Sequence, residues 1–412
     1  MMHHQCAFGL FLKGLLMTLK MVAPDKLGLC GSRLARLMAV LRDEVERGRL
    51  PGAVAVVARH GKMALFDSVG LLNPNNGERM HRDARFRIYS MTKPIVSVAA
   101  MMLMEEGRLL LSDPVARYIG EFAQQQVAIV EGTVLKLVPV RRAATVHDLL
   151  RHTAGMTYEF LGNGPVHRQY AQLRLGSRER GLAEFTQSLA GLPLLHEPGS
   201  VFEYSRATDV LGRVIEVVCG QTLKAFLRER IFEPLAMPDT AFVVPAQHHE
   251  HIAEPFTRDP EGGVQMRVID VRADAALASG GGGLVSTALD YARFLQFMLN
   301  RGELDGVRLL GPHTTDFMTA DHLGDIAVAN GGSRALLPMG HGFGLGFAVR
   351  KQLGVAPVPG SKGTYFWGGL AGTSFFVDPV LDLFAILMLQ APNQREYFRM
   401  LFRDMVYAAV LD

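Results

Sequence analysis

Apolar residues in "RLARLMAVLRDEVERG" (33–48) recur every three or four positions and stop at a glycine, which predicts an amphipathic helix. The period then changes. "GAVAVVARHGKMALFDSVG" (52–70) is rich in valine and alanine and predicts two strands turning at His60-Gly61. A helical period returns from 90 to Gly107, over 209–220, over 222–237 and over 286–302. The last of these starts at a Ser-Thr cap and ends at a glycine. Late in the chain "FGLGFAVR" (343–350), "GTSFFVDP" (372–379) and "LFAILMLQ" (383–390) predict strands, and 395–412 predicts a final amphipathic helix.

Strand patterns thus cluster at both ends of the sequence, with helices between. The compact solution is an α+β fold: one antiparallel sheet built from both ends, covered by the N- and C-terminal helices, beside an all-helical region. The expected division is 31–115 with 335–412 for the sheet lobe and 116–334 for the mostly helical lobe. These form one discontinuous two-lobe unit with a site between them. Residues 1–30 are read as an arm or leader outside the core. Their apolar stretches are interrupted by Lys13 and Lys20, follow no basic residue and lack a small-x-small cleavage site.

Composition narrows the function classes. Of 412 residues, 49% are hydrophobic and 20% charged, and the net charge of +3 is small for the length. The arginines are scattered rather than blocked, so nucleic acid is not an expected partner. No run of 18 apolar residues is free of charge, so no membrane span is expected. Cys6, Cys30 and Cys219 lie far apart, which suggests free thiols and a cytoplasmic, reducing location. "HHEHIAEP" (248–255) lacks H-E-x-x-H spacing, so no metal is expected there. No cofactor is called for, and the oligomeric state is open.

The candidate chemistry starts at "YSMTKPI" (89–95). On a helix, residues three apart have Cβ atoms roughly 5–6 Å from each other, so Ser90 and Lys93 can touch. Pro94 is tolerated only in a first turn, which puts Ser90 at the helix N-terminus, where unpaired N–H groups favour developing negative charge. A serine hydroxyl needs a neighbour to take its proton, and burial among Val96, Ala99, Ala100 and Met101 would lower the pKa of Lys93. The bland alternative is a capping serine with a solvated lysine. S-x-x-K occurs once in the chain, at a strand-to-helix junction, and no G-x-S-x-G exists.

Further motifs carry a resemblance. With "YSMTKPI", "LLRHTAGM" (149–156), "YSRATDVLG" from Tyr204 and "FWGGLAGTSFFVDP" from Phe366, the chain from about 33 to 412 resembles the class C β-lactamase and penicillin-recognising serine hydrolase superfamily. Within it, family VIII carboxylesterases are the nearest likeness. The resemblance implies that Ser90 is acylated and that Lys93 bonds it and shares its proton with Tyr204. Tyr204, lowered in pKa by the ammonium, would then act as base and later as acid. Which of the two is the true base stays open. The N–H groups of Ser90 and Leu370 would form the oxyanion hole, Leu370 following Trp367-Gly368-Gly369 at the third motif.

Departures from the β-lactamase pattern bear on substrate. Trp-Gly-Gly replaces Lys-Thr-Gly, removing a charge-assisted hydrogen bond worth about 1.5–3 kcal/mol to a substrate carboxylate. Arg206 stands where β-lactamases carry Asn. A neutral aromatic wall suits a small uncharged ester, so a serine carboxylesterase is expected. An acyltransferase, a weak β-lactamase and a non-catalytic binding protein are the alternatives. His152 is expected to buttress the site, Asp209 to hold one of its cations or a helix start, and Tyr158 and Phe160 to line the acyl or alcohol pocket.

Overall fold

The structure, a computed structural model, describes residues 19–131 and 134–412. Its centre is an eight-stranded sheet of β1 (Gly52–Arg59), β2 (Lys62–Asn73), β3 (Glu78–Arg79), β4 (His341–Phe343), β5 (Ala348–Arg350), β6 (Tyr365–Gly368), β7 (Ser374–Asp378) and β8 (Leu383–Leu389). The spatial order is β4-β5-β6-β7-β8-β1-β2-β3, and every neighbouring pair is antiparallel. The join between the two ends of the sequence is the β1–β8 ladder, running from Ala53 opposite Leu389 to Arg59 opposite Leu383.

The main helices are α1 (Gly31–Glu46), α2 (Thr92–Glu105), α3 (Ala207–Cys219), α4 (Ala288–Leu299) and α5 (Arg395–Ala409). β1 is buried along its whole length, so its period-two alternation sorts residues between two cores rather than between core and water. Ala53, Ala55 and Val57 face a core filled by Leu34, Leu37 and Leu41 of α1 and Phe398, Phe402 and Val406 of α5. Val54, Val56 and Ala58 face the larger core, which runs on through α2 to α3 and α4. Helix α2 is buried from Thr92 to Leu103, whereas α1 shows water one face.

The structure departs from the sequence reading in four places. "FGLGFAVR" is not one strand but the β4–β5 hairpin, because Gly344 and Gly346 turn the chain. A Cβ on Gly344 would lie 2.4 Å from the Met318 carbonyl, and Gly346 has φ +101°. The helix expected over 222–237 is α-helical only over Leu223–Leu227, widens to a π turn at Arg228–Phe232 and then stops. The middle region carries a hairpin, Gln126–Glu131 against Val134–Pro139, where helices were expected. Finally, residues 19–30 are not outside the core. Leu27 and Leu29 are buried under the terminal helices, and Leu29 bridges to Val410. Cys6 and the rest of 1–18 lie outside the described residues, among which no helix is long and apolar enough to cross a membrane.

Candidate active site

The chain enters the site from the short strand Phe86–Arg87, makes a 3-10 turn at Tyr89–Met91 and continues as α2. Tyr89 has φ +43°, a left-handed conformation that costs a non-glycine residue energy and needs support from its surroundings. Two groups supply it: the Ile269 N–H donates to the Tyr89 hydroxyl at 2.7 Å, and Gly282 packs against the Tyr89 backbone. Ser90 is left half-buried at the start of the helix.

Lys93, one turn on, is fully buried. Its Nζ lies 3.3 Å from Ser90 Oγ, 3.1 Å from the Tyr158 hydroxyl and 2.6 Å from the Gly281 carbonyl. Burial pulls its pKa down to about 7. The Asp209 carboxylate opposes that fall and the Arg206 guanidinium adds to it. The lowered pKa brings the neutral amine within range near neutrality, with Ser90 within reach.

Tyr204 sits just ahead of α3 and is buried. The Trp367 indole Nε1 donates to its hydroxyl at 3.2 Å, and Lys93 Nζ lies 4.5 Å from its ring centroid. Two expectations are corrected here. Lys93 meets the face of the Tyr204 ring and bonds the hydroxyl of Tyr158 instead. And the Tyr204 phenol is pushed up, not down: burial outweighs the hydrogen bonds from Ser90 and Trp367 that favour the phenolate.

Tyr158 was expected to line a pocket; it stands in the polar cluster itself, buried, with its phenol pushed well up by burial and by Asp209. Phe160 stacks on it with centroids 4.9 Å apart and is 56% exposed, at the rim. Asp209 is fully buried and accepts from Ser279 Oγ at 2.5 Å and the Gly281 N–H at 3.0 Å. It thus anchors the glycine loop whose carbonyl holds Lys93. His152 buttresses from behind, its ring 4.7 Å from that of Tyr204 and its Nδ1 3.2 Å from Ser205 Oγ. Burial, and secondarily the Lys93 charge, keep it neutral.

At the end of β6 the backbone turns through Gly368, Gly369 and Leu370. A Cβ on Gly369 would lie 2.4 Å from the Ile88 carbonyl, so only glycine lets this turn approach the segment that carries Ser90. Arg399 of α5 bonds the Gly369 carbonyl and, at 3.3 Å, the Thr373 carbonyl. The Leu370 N–H meets no acceptor among the described residues. Sequence reasoning missed Gly281 and Arg399. The run "SGGGG" (279–283) was a visible signal for the first; nothing in the sequence marked the second.

The sheet, its helical cover and this buried cluster define a β-lactamase/transpeptidase-like fold. The chain belongs to the Beta-lactamase family, whose sequence profile matches residues 37–409. It is 35% identical to esterase EstB of Burkholderia gladioli over 92% of this chain and 96% of that one. Among solved structures it resembles EstCE1, described as a hydrolase with promiscuous acyltransferase activity. The TM-score is 0.75 and the identity 29%, covering 92% of this chain and 99% of EstCE1. Simvastatin synthase LovD from Aspergillus terreus matches with a TM-score of 0.73 and 25% identity, over 91% of this chain and 98% of LovD.

Proposed function

We propose that the protein is a serine carboxylesterase that cleaves small uncharged esters through an acyl-enzyme on Ser90. The carrying observation is the 3.3 Å approach of Ser90 Oγ to a buried lysine whose pKa is lowered to about 7. Neutral Lys93 takes the Ser90 proton as Oγ attacks the ester carbonyl, while its own hydrogens go to the Gly281 carbonyl and the Tyr158 oxygen. The N–H groups of Ser90 and Leu370 receive the developing oxyanion. Tyr204, kept protonated by burial, gives its proton to the leaving alkoxide. In deacylation the Tyr204 phenolate takes a proton from the attacking water, and the Lys93 ammonium returns one to Ser90. The cycle closes with no net change in the protein and no metal or cofactor.

Trp367 and Tyr204, with ring centroids 5.2 Å apart and the fully buried Phe343 packed at the same distance from Trp367, bring no charge for a substrate carboxylate. That favours neutral esters over β-lactams. The likeness to EstB supports the hydrolytic reading. The free thiols of Cys30 and Cys219 suit a cytoplasmic setting. A fluorophosphonate should label Ser90 at one equivalent, and Ser90→Ala should lose both labelling and p-nitrophenyl ester turnover. Unchanged turnover in that variant ends the proposal.

A second reading sends the acyl group to an alcohol rather than to water, and the likeness to EstCE1 and LovD favours keeping it. The same groups would serve, because the acceptor alone differs. The ratio of transfer product to free acid, measured with rising acceptor alcohol, separates the two.

A further inference from the structure

Two cationic side chains are held against one aromatic ring inside this site. The Arg206 guanidinium carbon lies 4.7 Å from the Tyr158 ring centroid, and Lys93 Nζ lies 5.4 Å from the same centroid. Arg206 is buried and reaches it as the residue that opens α3. Its guanidinium forks onto Glu159, with Nη2 2.5 Å from Oε1 and Nε 3.4 Å from Oε2, and it lies 3.8 Å from Asp209 Oδ2. Glu159 is the neighbour in sequence of Tyr158, so this ion pair grips the backbone segment that carries the lysine's phenolic partner.

We propose that the Arg206–Glu159 pair is a positioning and pH-setting element that fixes Tyr158 against Lys93 and determines the pH at which Ser90, with Lys93 as its base, can be acylated. The inference rests on Lys93 serving as the base. The charged and titratable groups around Lys93 are few. Ser90 is on its own turn. Tyr158, with Glu159 behind it, comes from the loop after "HTAG". His152, held neutral, stands behind Tyr204. Tyr204, Arg206 and Asp209 come from α3 and its approach. The glycine loop offers the Gly281 carbonyl and Ser279, and Arg399, held on the Gly369 and Thr373 carbonyls, acts on Tyr204. Of the two side chains whose charge bears on the amine, Asp209 favours the ammonium and is committed to the glycine loop. Arg206 opposes the ammonium, and its charge is offset by Glu159. A side-chain pair that touches neither Ser90 nor Lys93, and meets the cluster through the face of the Tyr158 ring and through Asp209, therefore tunes the base.

The test is the pH dependence of Ser90 labelling by a neutral fluorophosphonate, on the full chain. A full charge roughly 10 Å away through a protein interior moves a pKa by about one unit. In Arg206→Met the acidic limb should move up by about one pH unit. In Glu159→Gln, where the guanidinium loses its Glu159 partner and keeps only the longer contact to Asp209, it should move down. Arg206→Lys keeps the charge and should keep the limb near the wild type while weakening the stack, read as a lower plateau rate. A limb that is present in the wild type but unmoved in both Arg206→Met and Glu159→Gln overturns the inference alone. A limb missing from the wild type, or unaltered in Lys93→Ala, sinks the Lys93 reading and this inference with it. If Arg206→Met does not fold, the opposite sign expected of Glu159→Gln decides.

Discussion

Lys93 Nζ lies 3.1 Å from the hydroxyl of Tyr158 and meets Tyr204 only through its ring, 4.5 Å from the centroid. In the proposed mechanism the two phenols have different work: Tyr158 would orient the lysine, and Tyr204, tied to Trp367, would serve the serine and the leaving group.

That separation predicts different losses on removing each hydroxyl. Tyr204→Phe removes the proton donor and should lower kcat by about 10²–10⁴-fold with little change in KM. Tyr158→Phe removes one hydrogen bond to the lysine and should cost about tenfold to a hundredfold in kcat/KM. Steady-state kinetics on a p-nitrophenyl ester checks both, and equal losses would contradict the division of roles.

Turnover should rise with pH through about 7 as Lys93 loses its proton. Stability should show the same group with the following sign. The unfolded lysine keeps its proton to about 10.5, whereas the folded one loses it near 7. Between those values the unfolded chain binds more protons, so stability rises with pH across the window and the penalty is full below about 7. Lys93→Met should accordingly abolish turnover, raise Tm by about 2 °C or more at pH 7, and flatten its rise towards pH 10. Thermal melts at several pH values measure this.

The glycine loop gives a steric contrast between adjacent positions. A Cβ on Gly281 would lie 2.8 Å from Asp209 Oδ2 and 2.9 Å from the Tyr158 hydroxyl, while on Gly282 the nearest atom would be 3.6 Å away. Gly281→Ala should lower kcat/KM by about a hundredfold by displacing the Lys93 contacts, on the scale of about 3 kcal/mol. Gly282→Ala should stay within about threefold of wild type. Comparable rates for the two variants would refute the argument.

Trp367 offers the Tyr204 hydroxyl one neutral hydrogen bond, so Trp367→Phe should cost about threefold to tenfold in kcat/KM. On substrates, nitrocefin turnover should fall far below that of short-chain p-nitrophenyl esters. Comparable rates on the two would count against the uncharged wall as the determinant of substrate.

Much of the fold was legible in local pattern because its elements obey it. The 3.6 period placed α1 and α5 to within a few residues, and the glycines closing α2, α3 and α4 marked their ends. The hairpin at 126–139 was missed because a short apolar run reads equally as helix or strand until a partner is found. In the site, Ser90 and Lys93 were legible because three residues on a helix fix their own proximity.

The sequence alone determined that a serine and a lysine share a helical turn at the head of a buried helix, since that depends on covalent spacing and local periodicity. The tertiary structure decided which phenol the lysine holds, the direction in which Tyr204 titrates, and the ion pair at Arg206. Those depend on burial and on the meeting of segments as far apart as 93, 158, 204, 281 and 367, and no local pattern encodes where a side chain from one of them finds the dielectric and partners of the others.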